Sequence, residues 1–283
     1  MSHWLYVIMF IDSHAHLFHE HYGKDLHDVL QRARDAGVDE IIVPGTDEKT
    51  SREALELSEK YEFIYVCVGI HPHEALKATD KILANIESMA GHQKVVAIGE
   101  IGLDYHYDFS PRGQQLALFK QQMELAIRLN LPVVVHTRDS LKDTIDVLEQ
   151  CMVNQPQWRH GIGTALKNGS PARGVFHCFT GSAIEASHLF GKGFLVSYPG
   201  IVTFKNSPVA ETLKQIGLEN ILLETDSPNM APIPVRGKRN EPSHIVHIAK
   251  KIAEILGAPE ADIARATTLN SKNLFGLGEL RVS

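Results

Sequence analysis

Leu131-Pro132-Val133-Val134-Val135-His136-Thr137-Arg138-Asp139-Ser140 carries one whole unit of the fold in a short space. Pro132 stands where a strand begins. The next three residues, all valine, are apolar on both parities, as expected of a strand covered on both faces rather than half-exposed. His136 sits at the strand's end, and Asp139-Ser140 supply a helix start. A helical pattern then runs over residues 140–151, with apolar residues three and four apart.

The same grammar recurs in both directions along the chain. Short apolar, β-branched runs predict strands at residues 6–11, 40–43, 63–68, 95–98, 133–135, 174–176, 194–197 and 221–223. Helical patterns separate or succeed them, among others at 26–36, 48–60, 114–129, 140–151, 244–256 and 261–269. Eight strands alternating with helices over 283 residues predict an α/β chain of the TIM (β/α)8 barrel class, as a single domain over 1–283. A doubly wound sheet would want a glycine-rich fingerprint after the first strand, and none is present. Residues 154–173, rich in Gly, Pro, Asn and Gln, read as an inserted loop.

Bulk composition narrows the function classes. The chain is 43% hydrophobic and 22% charged, with a net charge of −6. No bulk basic field exists to coat long nucleic acid, although local grip on one or two phosphates stays open. Three cysteines without C-x-x-C spacing argue against a disulfide framework and for a reducing, cytoplasmic setting. No basic region precedes the apolar start and no small-residue cleavage site succeeds it, so a signal peptide is not expected. No run is long enough to span a membrane. A monomer is compatible with the sequence, which sets no oligomeric state.

The residues just beyond each strand carry the chemistry. The first strand leads into Asp12-Ser13-His14-Ala15-His16 and the third into Gly69-Ile70-His71-Pro72-His73. The fourth leads into Gly99-Glu100 and on to Asp104-Tyr105, the fifth into His136-Thr137-Arg138, the sixth into His177-Cys178, and the eighth into Glu224-Thr225-Asp226. In a barrel these ends converge on one mouth. His14 and His16 share a parity, so both can project toward one point, and Glu224 and Asp226 share one likewise, so both could face the mouth; Cys178 is expected to point away from His177. A single H-x-H is a weak signal, and His19, His21, His27, His92, His160, His188, His244 and His247 read as ordinary surface or core residues. The joint placement of His14, His16, Glu100, His136, His177 and Asp226 at one end of the strands is the reason to read those six as metal ligands. Imidazole and carboxylate donors suit zinc, manganese or cobalt, with magnesium less well served. Six are too many for one catalytic ion with an open position, and two ions bridged by a carboxylate use the set. Arg138 reads as a fork for a substrate phosphate or a helix-end salt bridge, His71 as a polar group over the substrate or a turn residue, and Tyr105 as a base-stacking ring or a cover for the rim.

The motifs resemble those of the TatD family of metal-dependent deoxyribonucleases. They are Phe10-Ile-Asp-Ser-His-Ala-His-Leu17, Val68-Gly-Ile-His-Pro-His73, Ala97-Ile-Gly-Glu-Ile-Gly-Leu-Asp-Tyr105, Leu131 to Asp139, Gly174-Val-Phe-His-Cys-Phe-Thr-Gly181, Leu223-Glu-Thr-Asp-Ser-Pro228 and Arg239-Asn-Glu-Pro242. The resemblance implies a dinuclear site. His14 and His16 would hold one ion, His136 and His177 the other, Glu100 would bridge, and Asp226 would bind or steer the attacking water. It implies hydrolysis of phosphodiesters from the 3′ end of DNA, with Glu100 and Asp226 catalytic and His71, Tyr105 and Arg138 on the substrate, which would be a DNA 3′ end or a small phosphodiester. The chain departs from the pattern in the 154–173 insertion and in residues 1–8, which read either as an extension ahead of the family's usual start or as a lengthened first strand. Two alternatives share these residues: hydrolysis of another bond, such as a D-aminoacyl-tRNA ester, and a metal-binding partner protein with little turnover.

Overall fold

A computed structural model describes residues 9–153, 155–159, 166 and 169–278. Its strands are β1 (Phe10–Asp12), β2 (Val38–Pro44), β3 (Ile64–Val68), β4 (Val95–Asp104), β5 (Val133–Arg138), β6 (Gly174–Phe176), β7 (Phe194–Tyr198) and β8 (Ile221–Leu223). All pair in parallel, each with the next in chain order. The helices are α1 (His19–Tyr22), α2 (Leu26–Asp35), α3 (Glu48–Lys60), α4 (Asp80–Ala90), α5 (Arg112–Arg128), α6 (Leu141–Val153), α7 (Ala183–Gly191), α8 (Val209–Ile216), α9 (Ile245–Leu256) and α10 (Glu260–Phe275). The predicted (β/α)8 barrel is the fold.

Alternation along the strands sorts the core into two parts. Ile11, Ile42, Cys67, Val96, Val134, Val175, Leu195 and Leu222, drawn from all eight strands, meet in one cluster with Leu274, Phe275 and Leu277. Side chains from every strand can meet in this way only inside a barrel, and the end of α10 plugs that interior from below. The strands' other faces, including Ile41, Val66, Val135, Val196 and Leu223, pack outward with the helices in a larger cluster.

The last seam is closed beyond the ends of the regular strands. Ser13 N donates to Leu223 O (3.0 Å), Asp226 N to His14 O (2.9 Å) and His16 N to Ser227 O (2.7 Å). Asp12, fully buried, accepts from Thr225 N at 2.9 Å and Thr225 Oγ1 at 2.6 Å. The segments bearing His14, His16 and Asp226 are thus stitched to each other.

Strand β4 runs to Asp104, well beyond the expected 95–98. Glycine at 99 and 102 reads as punctuation in the sequence, yet here it permits close pairing with β5. A Cβ on Gly99 would meet Val134 Cβ at 2.7 Å, and one on Gly102 would meet His136 O at 2.0 Å. The expected first strand at 6–11 is described only from residue 9, and the extension at 1–8 lies outside the described residues. So do His160 and part of the 154–173 insertion. Its described residues attach below the barrel, not over the mouth. Trp158 Nε1 donates to Leu131 O (3.0 Å) ahead of β5, and Arg159 reaches Ala172 O (2.8 Å) and Leu274 O (2.9 Å). No helix among the described residues is long and apolar enough to cross a membrane.

Candidate active site

Strand geometry delivers site residues two positions beyond interior side chains. His136 comes after Val134 and His177 after Val175, each with the parity of the barrel interior. All six expected ligands gather at the C-terminal mouth, beside a cleft of about 760 Å³ lined by His16, His71, Glu100, His136, Arg138, His177 and Asp226 among others.

Glu100 lies at the centre, 3% exposed. Its Oε2 lies 3.3 Å from His14 Nε2 and 3.5 Å from His16 Nε2. Those two nitrogens are 3.2 Å apart, and Asp226 Oδ1 stands 3.6 Å from the nitrogen of His16 and 4.0 Å from that of His14. The other oxygen, Oε1, lies 2.9 Å from His136 Nδ1 and 2.8 Å from His177 Nε2, which are 3.2 Å from each other. One carboxylate therefore shows a different oxygen to each of two donor groups.

These spacings fit divalent ions. Bonds of about 2.0–2.2 Å to nitrogen and oxygen put neighbouring donors of a tetrahedral ion about 3.3 Å apart. Three triads of this kind occur among the described residues: His14, His177 and Asp226, all buried; His14, His16 and Glu100; and His71, Glu100 and His136. His14 Nδ1 and His177 Nδ1 are buried without hydrogen-bond partners among the described residues.

Electrostatics in the nest is that of a cation site. Burial alone would push Glu100 up, but the charges of His177 and His71 and the hydrogen bonds from His136 and His14 hold it well below the usual carboxylate range. Burial lowers His14 and His71 far below an ordinary imidazole, with neighbouring imidazoles, His177 for the one and His136 for the other, adding to the effect. Burial also works against a charged His177, yet Glu100, Glu224 and Asp226 carry it to about 9. Burial raises Asp226.

Hydrogen bonds select the tautomers. His136 Nε2 is 3.0 Å from Asp104 Oδ2, and a carboxylate only accepts, so the ring keeps a proton on Nε2; a proton on Nδ1, directed at Glu100 Oε1, is the one an ion would displace. His71 is set the other way. Its Nδ1 accepts from His73 N (3.2 Å), which leaves the proton on Nε2, 3.5 Å from Glu100 Oε1. With its proton on Nε2, His71 is a donor beside Glu100 at the cleft wall, and the same atom completes the triad with Glu100 and His136 once that proton is lost.

Three expectations are corrected. Glu224 does not face the mouth. It is fully buried behind His177, accepting from Cys178 N and Ser197 Oγ at 2.6 Å each, and burial pushes its carboxyl up to about 8. Its parity is that of the barrel interior, but His177 stands between it and the cleft, 3.8 Å from Glu224 Oε1, while Asp226 reaches the mouth only after the chain leaves the strand at φ +53°. Cys178 lines the cleft instead of turning from it, because at φ +48° the chain has left its extended course. Tyr105 does not reach the cleft. Its hydroxyl donates to Asp143 Oδ2 at 2.9 Å and Arg112 lies 4.1 Å from its ring centre. Arg138 does line the cleft, its guanidinium 4.8 Å from the ring centre of Tyr107.

Asp104 escaped the sequence reading, although its parity matches that of Glu100 and it closes the same strand. Oδ1 accepts from the backbone N–H groups of His106 (3.0 Å) and Tyr107 (3.3 Å), while Oδ2 faces His136. Asn240 was likewise not singled out. Its side chain donates to Thr225 O (2.8 Å) and Asn229 O (2.7 Å), tying the chain after β8 to the mouth.

A parallel barrel with a buried histidine–carboxylate nest at its C-terminal mouth is a metal-dependent hydrolase. The family model for TatD related DNase matches residues 11–276, and the chain belongs to that family. It is 41% identical to the metal-dependent hydrolase YabD of Bacillus subtilis, covering 94% of this chain and 99% of that one. It is 32% identical to the 3′-5′ ssDNA/RNA exonuclease TatD of Shigella flexneri, covering 94% and 98%. Among solved structures, the TatD homologue YjjV of Escherichia coli superimposes with a TM-score of 0.85 at 30% identity, over 96% of this chain and 99% of that one.

Proposed function

We propose that the chain is a two-metal phosphodiesterase acting at the 3′ end of single-stranded DNA or RNA, in a reducing, cytoplasmic setting. The observation that carries this reading is the division of Glu100, with Oε2 toward His14 and His16 and Oε1 toward His136 and His177. Zinc, manganese, cobalt or magnesium ions held there would supply Lewis acidity toward the phosphoryl oxygens and bring the pKa of a water near neutrality. The name of the Shigella flexneri relative supports a nucleic acid as the substrate.

The chain's own groups divide the remaining work. Asp226, 8% exposed at the cleft wall, takes the proton of the attacking water on a carboxylate oxygen. As the bond from phosphorus to the 3′ oxygen of the preceding nucleotide breaks, that proton passes to the leaving oxygen. A 5′-mononucleotide departs and the strand ends in a new 3′ hydroxyl. Arg138 has no carboxylate within ion-pair distance among the described residues, so its fork is available to a non-bridging oxygen. His71 Nε2–H is a second donor to the same phosphate.

The test is product analysis on 3′-labelled single strands with each metal. The wild type should release mononucleotides. Glu100→Ala and Asp226→Ala should each lose more than the roughly 100-fold that removing an outer partner of a metal ligand costs. Wild-type-like cleavage by either variant refutes the assignment.

A further inference from the structure

The loop after β4, Tyr105-His106-Tyr107-Asp108-Phe109, does something the ligand set does not require: it presents aromatic rings to solvent at the edge of the cleft. Phe109 is 60% exposed and Tyr107 42%. They lie 5.3 Å apart between ring centres and are inclined by 31°. Scattered exposed aromatics are ordinary, but these are contiguous with the site. The His73 ring, which lines the cleft, stands 4.8 Å from Phe109 and 5.6 Å from Tyr107 on one side and 6.4 Å from His136 on the other. A single ring therefore separates the aromatic pair from the metal-facing histidine.

The loop is held rigidly enough to serve as a platform. Asp104 Oδ1 receives the amides of His106 and Tyr107 at its start. At its end Ser110 Oγ donates to His73 O (2.8 Å) and accepts from Leu76 N (2.9 Å). Gln115 joins the two ends, donating to Asp104 O (2.9 Å) and Ser110 O (2.8 Å). Aromatic surface this exposed, on a fixed backbone, gains most from a flat partner that brings its own π-face.

Arg138 specifies what that partner is. Its guanidinium sits over Tyr107 and also lines the cleft, so a cation stands between the aromatic surface and the metal-facing residues. A ring beside an anion matches one unit of a nucleic-acid strand, with the base on the aromatic pair and its phosphate at Arg138. We infer that Tyr107 and Phe109 form a stacking platform for an unpaired nucleobase at the 3′ end of the strand, with Arg138 fixing the adjoining phosphate. This rests on the phosphodiesterase reading above and names the residues that would hold the terminal base of the single strand.

Two measurements on the full chain test it. The first compares KM for a single strand with KM for the same strand carrying abasic residues at its last two 3′ positions, in the wild type and in Tyr107→Ala/Phe109→Ala. Both substituted side chains are exposed, so the fold should survive. The wild type should favour the base-bearing strand about tenfold in KM, and the double variant should give equal KM values for the two strands. An equal preference in the two proteins, or none in the wild type, overturns the platform while leaving cleavage intact. The second measurement tracks 2-aminopurine placed at the 3′ end. Its fluorescence should be quenched on binding to the wild type and not to the double variant, and absence of quenching in the wild type overturns the proposal whether or not the strand is cut. No cleavage of any strand with any metal, by contrast, refutes the phosphodiesterase reading itself.

Discussion

Asp104 shows how much of such a site rests on a residue that holds nothing itself. One carboxylate oxygen sets the tautomer of His136 and the other carries two amides of the aromatic loop. His136 is pulled down by burial and pushed up by its hydrogen bonds to Asp104 and Glu100, with a net rise, so the ring depends on both carboxylates. Asp104→Asn is a sparing test, because Oδ1 can still accept the amides of His106 and Tyr107. The new amide nitrogen, however, meets His136 Nε2 donor to donor. The ring must rotate or take its proton on Nδ1, the atom aimed at Glu100. Metal affinity should fall about 10- to 100-fold with little loss of stability. Titration of the stripped protein with manganese, read by calorimetry beside a thermal melt, would settle this; unchanged affinity would mean that Asp104 serves only the loop.

At the scale of elements, the segment after β8 is tied down by ion pairing as well as by Asn240. Arg32 on α2 grips Glu241 with both prongs, Nε to Oε1 at 2.8 Å and Nη2 to Oε2 at 2.6 Å. Burial raises the Glu241 carboxyl and the hydrogen bonds from Arg32 and Ser243 outweigh it, leaving a net depression. A carboxyl depressed in the folded state stabilises fully above its unfolded pKa, about 4.3, and that stabilisation is lost as pH falls through the folded value. Because Arg32 is 47% exposed, screening keeps the contribution to about 1 kcal/mol. Urea midpoints should show Arg32→Ala less stable than wild type by that amount at pH 7, with the gap closing below pH 4. A gap that persisted there would point to lost packing of the Arg32 stem instead.

The elements themselves were largely legible in the sequence, because apolar runs covered on both faces leave an unbroken signature, as in Val133-Val134-Val135. Residues at the ends of extended strands were also legible: His136 and His177 keep the parity of Val134 and Val175. The reading failed where the chain leaves extended geometry. Cys178 sits at positive φ, so counting by twos misplaced it, and counting by twos gave the parity of Glu224 without its depth behind His177. It also failed at Tyr105, because an aromatic in a loop carries no period and only the fold shows whether Tyr105 or Tyr107 stands beside Arg138. Glycines 99 and 102 hid half of β4 for a different reason, since close approach and chain reversal call for the same residue type.

For the whole molecule, the barrel brings together charges and donors that fold at some cost without a cation. Glu100 is nearly inaccessible among five imidazoles, and Asp226 carries a pKa raised by burial. The groups come from segments far apart in sequence, from His14 to Asp226, so the unfolded chain presents no comparable site. Any ion they bind must therefore stabilise the folded state by mass action. At a free metal concentration a hundredfold above Kd the gain is about 2.7 kcal/mol for each independent ion. For a chain of 283 residues this raises Tm by about 5 °C per ion, and EDTA should remove it. Glu100→Ala removes a donor from both groups and should abolish most of the metal-induced shift. Asp226→Ala removes a single donor, beside His14 and His16 and within reach of His177, and should leave part of it. Melts of the three proteins with manganese and with EDTA separate the cases. Equal shifts in Glu100→Ala and wild type would mean that the stabilising ion binds elsewhere, and equal losses in the two variants would favour a single ion shared by all the donors over a bridged pair.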